Sequence, residues 1–226
     1  MKVSEKIIER LRHNRIPFFA NDNVSDWILP GELEELKAEV EENVKAVLTS
    51  LVIDVDNDHN TKGTAHRVAK MYVDEVFKGR YLKRPTITVF PNAKHFDELY
   101  SLGPISVKSA CSHHFVEIEG QCWVGVYPGT SVVGISKIAR IVDWVCRRPH
   151  IQEEMVIILA DELEKIMEPQ GLGVVIKAKH HCMTWRGVEE ERAEMVSSVM
   201  RGGLRDDPAL KAEFFNLIKA QGFTYG

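Results

Sequence analysis

The chain has 226 residues, with 29 Lys and Arg against 33 Asp and Glu, for a formal charge of −4. Apolar residues make up 44% and charged residues 27%, the balance of a globular chain long enough to bury its own core. This excludes collagenous, mucin-like and disulfide-stapled chains; the acidic balance argues against a nucleic-acid partner, and no run approaches the roughly 20 apolar residues of a membrane helix.

Residues 1–30 mix both charge signs, lack the apolar stretch of a signal peptide and end at the turn pair Pro30-Gly31. The expected location is the cytoplasm, with Cys111, Cys122, Cys146 and Cys182 as reduced thiols. Leu33, Leu36, Val40, Val44, Val47 and Leu51 recur every three or four positions, which predicts an amphipathic helix with that stripe buried. A polar turn, Asp54–Asn60, leads to a second helix over 64–78, expected to bury Val68, Met71, Tyr72 and Val76.

The pattern then changes. Thr86–Phe90, Ile105–Ala110 and Gln121–Tyr127 are β-branched or alternating runs between turns, so they are predicted strands. Ser136 is the expected N-cap of a third helix with Ile138, Ile141, Val142 and Val145 inward. Pro149 interrupts it, and a fourth helix is predicted to about Met167. A strand at Gly171–Lys179, another near 193–201 and a closing helix at Pro208–Lys219 complete the chain. Helices segregated from antiparallel strands make this α+β, with an N-terminal helical region over 1–84 and a second domain over 85–226.

The densest chemistry is Cys111-Ser112-His113-His114, answered by His180-His181-Cys182. Two cysteines and one histidine would make an open zinc site, and the spare histidines are suited to moving protons near neutral pH. Alternation along a strand would put His180 and Cys182 on one face, with His181 on the other. It does not choose between His113 and His114 as ligand. Cys122 and Cys146 have no neighbouring histidine and are assigned to the core.

The segment Gly129–Ser136 has the glycine spacing of a P-loop, but Ile135 occupies the lysine position, so that motif is rejected. Lys137, Arg140, Trp144 and Arg147 fall at helical spacing on the face away from the predicted stripe. Ser136, Lys137 and Arg140 at a helix N-terminus suit a polyphosphate, as Arg67 and Lys70 do on the earlier helix; a solvated basic face is the alternative. Gln152 and Glu153 open the fourth helix. A carboxylate there is either a dipole partner or a bidentate acceptor for the N1–H and N2–H₂ of guanine.

Taken together, Cys111–Phe115, Gly134–Val142, Arg147–Glu153, His180–Gly187 and Thr64–Tyr72 resemble the motifs of GTP cyclohydrolase I in order and spacing, over about residues 33–219. The resemblance implies the tunnelling fold (T-fold), an antiparallel sheet with helices packed on one side and an N-terminal helical extension. It also implies a homodecamer of two pentamers. By position, Cys111, His114 and Cys182 would hold Zn2+. His113 and His180 would be the acid–base pair, with Ser136 beside them in the catalytic set. Gln152 and Glu153 would hold guanine, while Lys137, Arg140, Arg67 and Arg186 would line the triphosphate and ribose side. The implied reaction opens the imidazole ring of GTP, releases formate and closes to 7,8-dihydroneopterin triphosphate. Ser112 stands where the family usually has Glu, and Ala193–Ser198 keeps only two hydroxyls of a Ser/Thr-rich strand. These departures motivate a competing reading, a guanine-nucleotide-binding homologue without turnover or with an altered substrate.

Overall fold

The computed structural model describes residues 1–224. The chain divides into two compact units, Met1–Lys83 and Arg84–Gly226. Among the described residues no helix is long and apolar enough to cross a membrane.

The first unit is helical. Helix α1 (Val3–His13), which the mixed N-terminal composition concealed, buries Val3, Ile7 and Leu11 at a spacing of four, and Val24 closes this small core. Arg10 ties α1 to α2 (Glu32–Ser50) through two hydrogen bonds to the Glu32 carboxylate, at 2.8 and 2.7 Å. The guanidinium holds that carboxylate below the usual range. The predicted stripe of α2 is not buried as expected: Glu32 is its one buried residue, while Val47 and Leu51 are exposed. Within the unit α2 packs against α1 and α3, and these two helices do not cover its C-terminal turns.

Helix α3 (Thr64–Lys70) continues as a π-helical segment, Met71–Val76, and then a short helix α4 (Lys78–Tyr81). Its inward row is Ala65, Ala69, Val73 and Phe77, rather than the expected Val68, Met71, Tyr72 and Val76. Small alanines let the helix approach α2 closely, so the larger Val68 flanks that contact and Met71 faces outward.

The second unit is built on a five-stranded sheet of order β5–β2–β3–β6–β7. Its strands are β2 (Tyr100–Cys111), β3 (Glu117–Tyr127), β5 (Pro149–His150), β6 (Gly171–His180) and β7 (Met195–Gly202). Neighbours are antiparallel except β5, which runs parallel to β2, so the sheet is mixed rather than purely antiparallel. A separate two-stranded ribbon pairs β1 (Val89–Pro91) with β4 (Ser131–Val133).

Helices α5 (Ile135–Cys146) and α6 (Gln152–Met167) cover one face of the sheet. Ile138, Ile141, Val142 and Val145 are buried as the sequence predicts, each worth roughly 1.5–3 kcal/mol of burial. They meet Cys122, Val124, Val174 and Ile176. The opposite face is covered too. Trp123 and Val175 point there and pack with Phe214 and Ile218 of α9 (Pro208–Ala220), beside Leu204 of the turn α8 (Gly203–Asp206). Helices on both faces correct the expectation of helices on one side. The central residues Cys122, Trp123 and Val124 are apolar in succession because both faces of the strand are buried.

Candidate active site

Strand register brings the two Cys/His clusters to one end of the sheet. Ile118 pairs with Ser109 on one side and with His180 on the other, so the end of β2, the start of β3 and the end of β6 lie together. Strand β5 joins them through the pairing of Cys111 with His150.

The β2–β3 connection is a tight turn. The Cys111 N–H donates to the Val116 carbonyl at 2.8 Å, and the Phe115 N–H donates to the Cys111 carbonyl at 2.8 Å. Phe115 takes a left-handed conformation, φ 54°, to close it. The Ser112 N–H donates to the His150 carbonyl at 2.9 Å, which ties the turn to β5. The turn carries His114 back over Cys111. On the other side β6 stops at His180, and Cys182 lies in a single helical turn, α7 (His181–Thr184). The strand alternation expected for His180 and Cys182 therefore does not apply, since the backbone coils one residue before the cysteine.

The ligand atoms of Cys111, His114 and Cys182 all lie within 4.8 Å of one another. His113 stands outside that group, exposed on the turn, with its ring centroid 6.4 Å from that of His114. Burial and the adjacent Cys111 push the Cys182 thiol above its ordinary range. Two neighbouring thiols resist ionising together. A soft divalent cation removes that penalty by binding both thiolates, and two sulfurs with one imidazole nitrogen are a zinc-type donor set. The residues fit the metal.

Around this cluster, Arg186 places Nη1 3.2 Å from His114 Nε2. Glu153 is exposed on the first turn of α6. Burial lowers the pKa of His180, and the nearby Glu153 charge partly opposes that. Gln152 differs from expectation. It is fully buried, its Nε2 faces the Ile176 and Met195 carbonyls at 3.1 Å each and Ser197 Oγ at 3.0 Å, and its Oε1 lies 2.8 Å from His180 Nε2. The amide is occupied by protein groups rather than open to a ligand. Its environment is set by strands far along the chain, so no local pattern could have signalled it.

Ser136 and Lys137, on the first turn of α5, lie away from this group. The C-terminal end of α5 reaches the Cys/His end of the sheet, where His150 Nε2 bonds the Val145 carbonyl at 2.8 Å. Ser136 precedes Val145 by nine residues, which is about 13 Å along the helix axis. Gly134, not Ser136, is the N-cap. Trp144 also leaves the predicted basic face: it is buried under Arg148, whose guanidinium carbon lies 4.0 Å from the ring centroid. Arg67 belongs to the first unit, where its Nη2 donates to the Asn60 carbonyl at 3.2 Å and to Thr64 Oγ1 at 3.1 Å. Cys122 and Cys146 are buried core thiols, and burial pushes the Cys146 pKa up to about 12.

Comparison with known proteins gives a consistent result. The sequence model of a family described as GTP cyclohydrolase I matches residues 40–219. GTP cyclohydrolase 1 of Vibrio parahaemolyticus is 37% identical over 187 residues, which is 82% of this chain and 86% of that protein. The Haemophilus ducreyi protein of the same name is 35% identical over 191 residues, 84% of this chain and 87% of that protein. Among solved structures, the archaeosine synthase QueF-Like in its apo form aligns at a TM-score of 0.37 and 16% identity, over 54% of this chain and 98% of that one. That score carries no argument about the fold.

Proposed function

The chain belongs to the GTP cyclohydrolase I family and is an enzyme of that activity, and from that premise we propose that Cys111, His114 and Cys182 hold its catalytic zinc. The observation that carries this reading is the convergence of those three donors, drawn from a β-turn and a helical turn about seventy residues apart, beside His113, His180 and Glu153. Zinc held there supplies a Lewis acid and makes water a hydrolytic nucleophile near neutral pH.

The protein's own groups do the rest. Exposed His113 protonates the imidazole N7 of GTP, which makes the ring carbon C8 electrophilic. Glu153 accepts the guanine N1–H and N2–H₂ in a bidentate contact that adenine cannot make. His180 moves protons during ring opening and ribose rearrangement. Ring opening leaves C8 as an N-formyl group, a second water hydrolyses it to release formate, and reclosure with loss of water gives 7,8-dihydroneopterin triphosphate. Arg186 supplies positive charge at the rim.

Ser136, Lys137 and Arg140 enter the same scheme from a second copy of the chain. The axial separation of Ser136 and Lys137 from the Cys/His end of their own sheet supports a site completed between subunits. Among the described residues strand β7 ends the sheet with one edge unpaired, which suits the closed T-fold barrel of a homodecamer of two pentamers. Incubation of the zinc-loaded protein with GTP, followed by oxidation, tests the function. Formate and fluorescent neopterin in equal amounts are expected; GTP binding without either product would refute turnover.

A further inference from the structure

The orientation of the Gln152 side chain is fixed by two main-chain carbonyl oxygens, which can only accept. Its Nε2 lies 3.1 Å from the Ile176 carbonyl oxygen and 3.1 Å from the Met195 carbonyl oxygen, with Ser197 Oγ at 3.0 Å. Reversing the amide would place Oε1 against two carbonyl oxygens inside a fully buried site, leaving its N–H groups without those acceptors. The amide oxygen therefore faces His180, whose Nε2 is 2.8 Å away. An oxygen that only accepts needs a donor opposite it, so the proton of the imidazole is on Nε2.

We propose that Gln152 is a positioning residue that holds His180 in the Nε2–H tautomer, leaving Nδ1 as the lone-pair nitrogen available to substrate. This rests on the reading of His180 as a proton carrier, and it moves Gln152 out of the guanine contact. The clamp joins three elements: Gln152 opens α6, Ile176 lies on β6, and Met195 and Ser197 lie on β7. Two main-chain carbonyls set the amide, so the ring orientation is dictated by strand register rather than by a mobile side chain. Ser197, one of the two hydroxyls kept in the 193–198 stretch, thereby supports the site without reaching it directly.

Neutron diffraction from crystals of the zinc-loaded enzyme exchanged into deuterium oxide reads the tautomer without any variant. Deuterium on His180 Nε2 is expected, and a bare Nε2 overturns the proposal. Kinetics gives a second readout. Gln152→Met should lower kcat for formate release on the order of 10²-fold, while the Kd for GTP, measured by equilibrium dialysis, changes less than about threefold. In a His180→Ala background the same substitution should lower the residual rate by less than about twofold, because Gln152 acts through that ring. Multiplying losses, or weakened GTP binding with kcat intact, would assign Gln152 an independent role and overturn it. Should His180→Ala alone leave kcat unchanged, the proton-transfer reading fails, while the neutron map still decides the tautomer.

Discussion

Cys111 and His150 are register partners in the parallel pairing of β2 with β5. His150 is wholly buried, its Nε2 donates to the Val145 carbonyl at 2.8 Å, and among the described residues its Nδ1 has no hydrogen-bond partner. Burial lowers its pKa to about 4. A buried neutral histidine thus lies beside Cys111, one of the three proposed metal ligands, on the neighbouring strand.

This makes the fold acid-sensitive in a defined window. The unfolded chain takes up a proton on this ring near pH 6.5, whereas the folded chain resists until about pH 4. Stability from His150 is therefore complete above pH 6.5 and declines as pH falls toward 4, by an amount on the order of 3 kcal/mol. His150→Gln, which can still donate to Val145, should flatten that decline. Urea midpoints at pH 7 and pH 4.5 for both proteins check it; identical pH slopes would count against the assignment.

Metal content separates ligands from neighbours. Cys182→Ala should bring zinc from about one per chain to near zero, whereas Cys122→Ala should retain it, because Cys122 lies in the core. Elemental analysis after dialysis decides it. Zinc retained in Cys182→Ala would mean that the triad is not the site.

His113→Ala and His180→Ala should keep zinc and lose most formate release, on the order of 10²–10⁴-fold. Loss of metal in either variant would show that a histidine has been assigned the wrong role.

Glu153→Gln replaces one acceptor oxygen with a donor that confronts the guanine N–H groups. GTP affinity should fall by at least about tenfold, read by equilibrium dialysis in the His113→Ala background so that turnover does not interfere. Unchanged affinity would remove Glu153 from base recognition.

The sheet face under α9 has no space to spare. Gly125 and Gly173 are register partners, and a Cβ on Gly125 would lie 2.4 Å from the Phe214 ring. Gly125→Ala must therefore displace the aromatic ring that anchors the helix, at about 1–3 kcal/mol. Thermal unfolding should show a lower Tm, and Phe214→Leu in the same chain should recover part of the loss by making room.

Local patterning carried much of this structure. The stripe Ile138, Ile141, Val142 and Val145 is inward as the 3.6-residue period requires, and β6 and α6 fall where the apolar runs and Pro149 place them. Periodicity failed where the neighbour decided the inward face. On α3 that face is a row starting with two alanines, chosen by close approach to α2, and on α5 Trp144 turns in because Arg148 covers its ring.

By itself, the sequence determined the chemical inventory: two clusters of thiol and imidazole donors, a carboxylate at a helix start and a basic helix face, all readable because donor chemistry is a property of each side chain. Only the tertiary structure decided which of these groups meet. Antiparallel register put Cys111, His114 and Cys182 together, the length of α5 kept Ser136 away from them, and the carbonyls of β6 and β7 turned Gln152 from a candidate base contact into the support of His180. Contacts across a sheet depend on register, which is set by strand pairings remote in the chain and leaves no mark at the residues themselves.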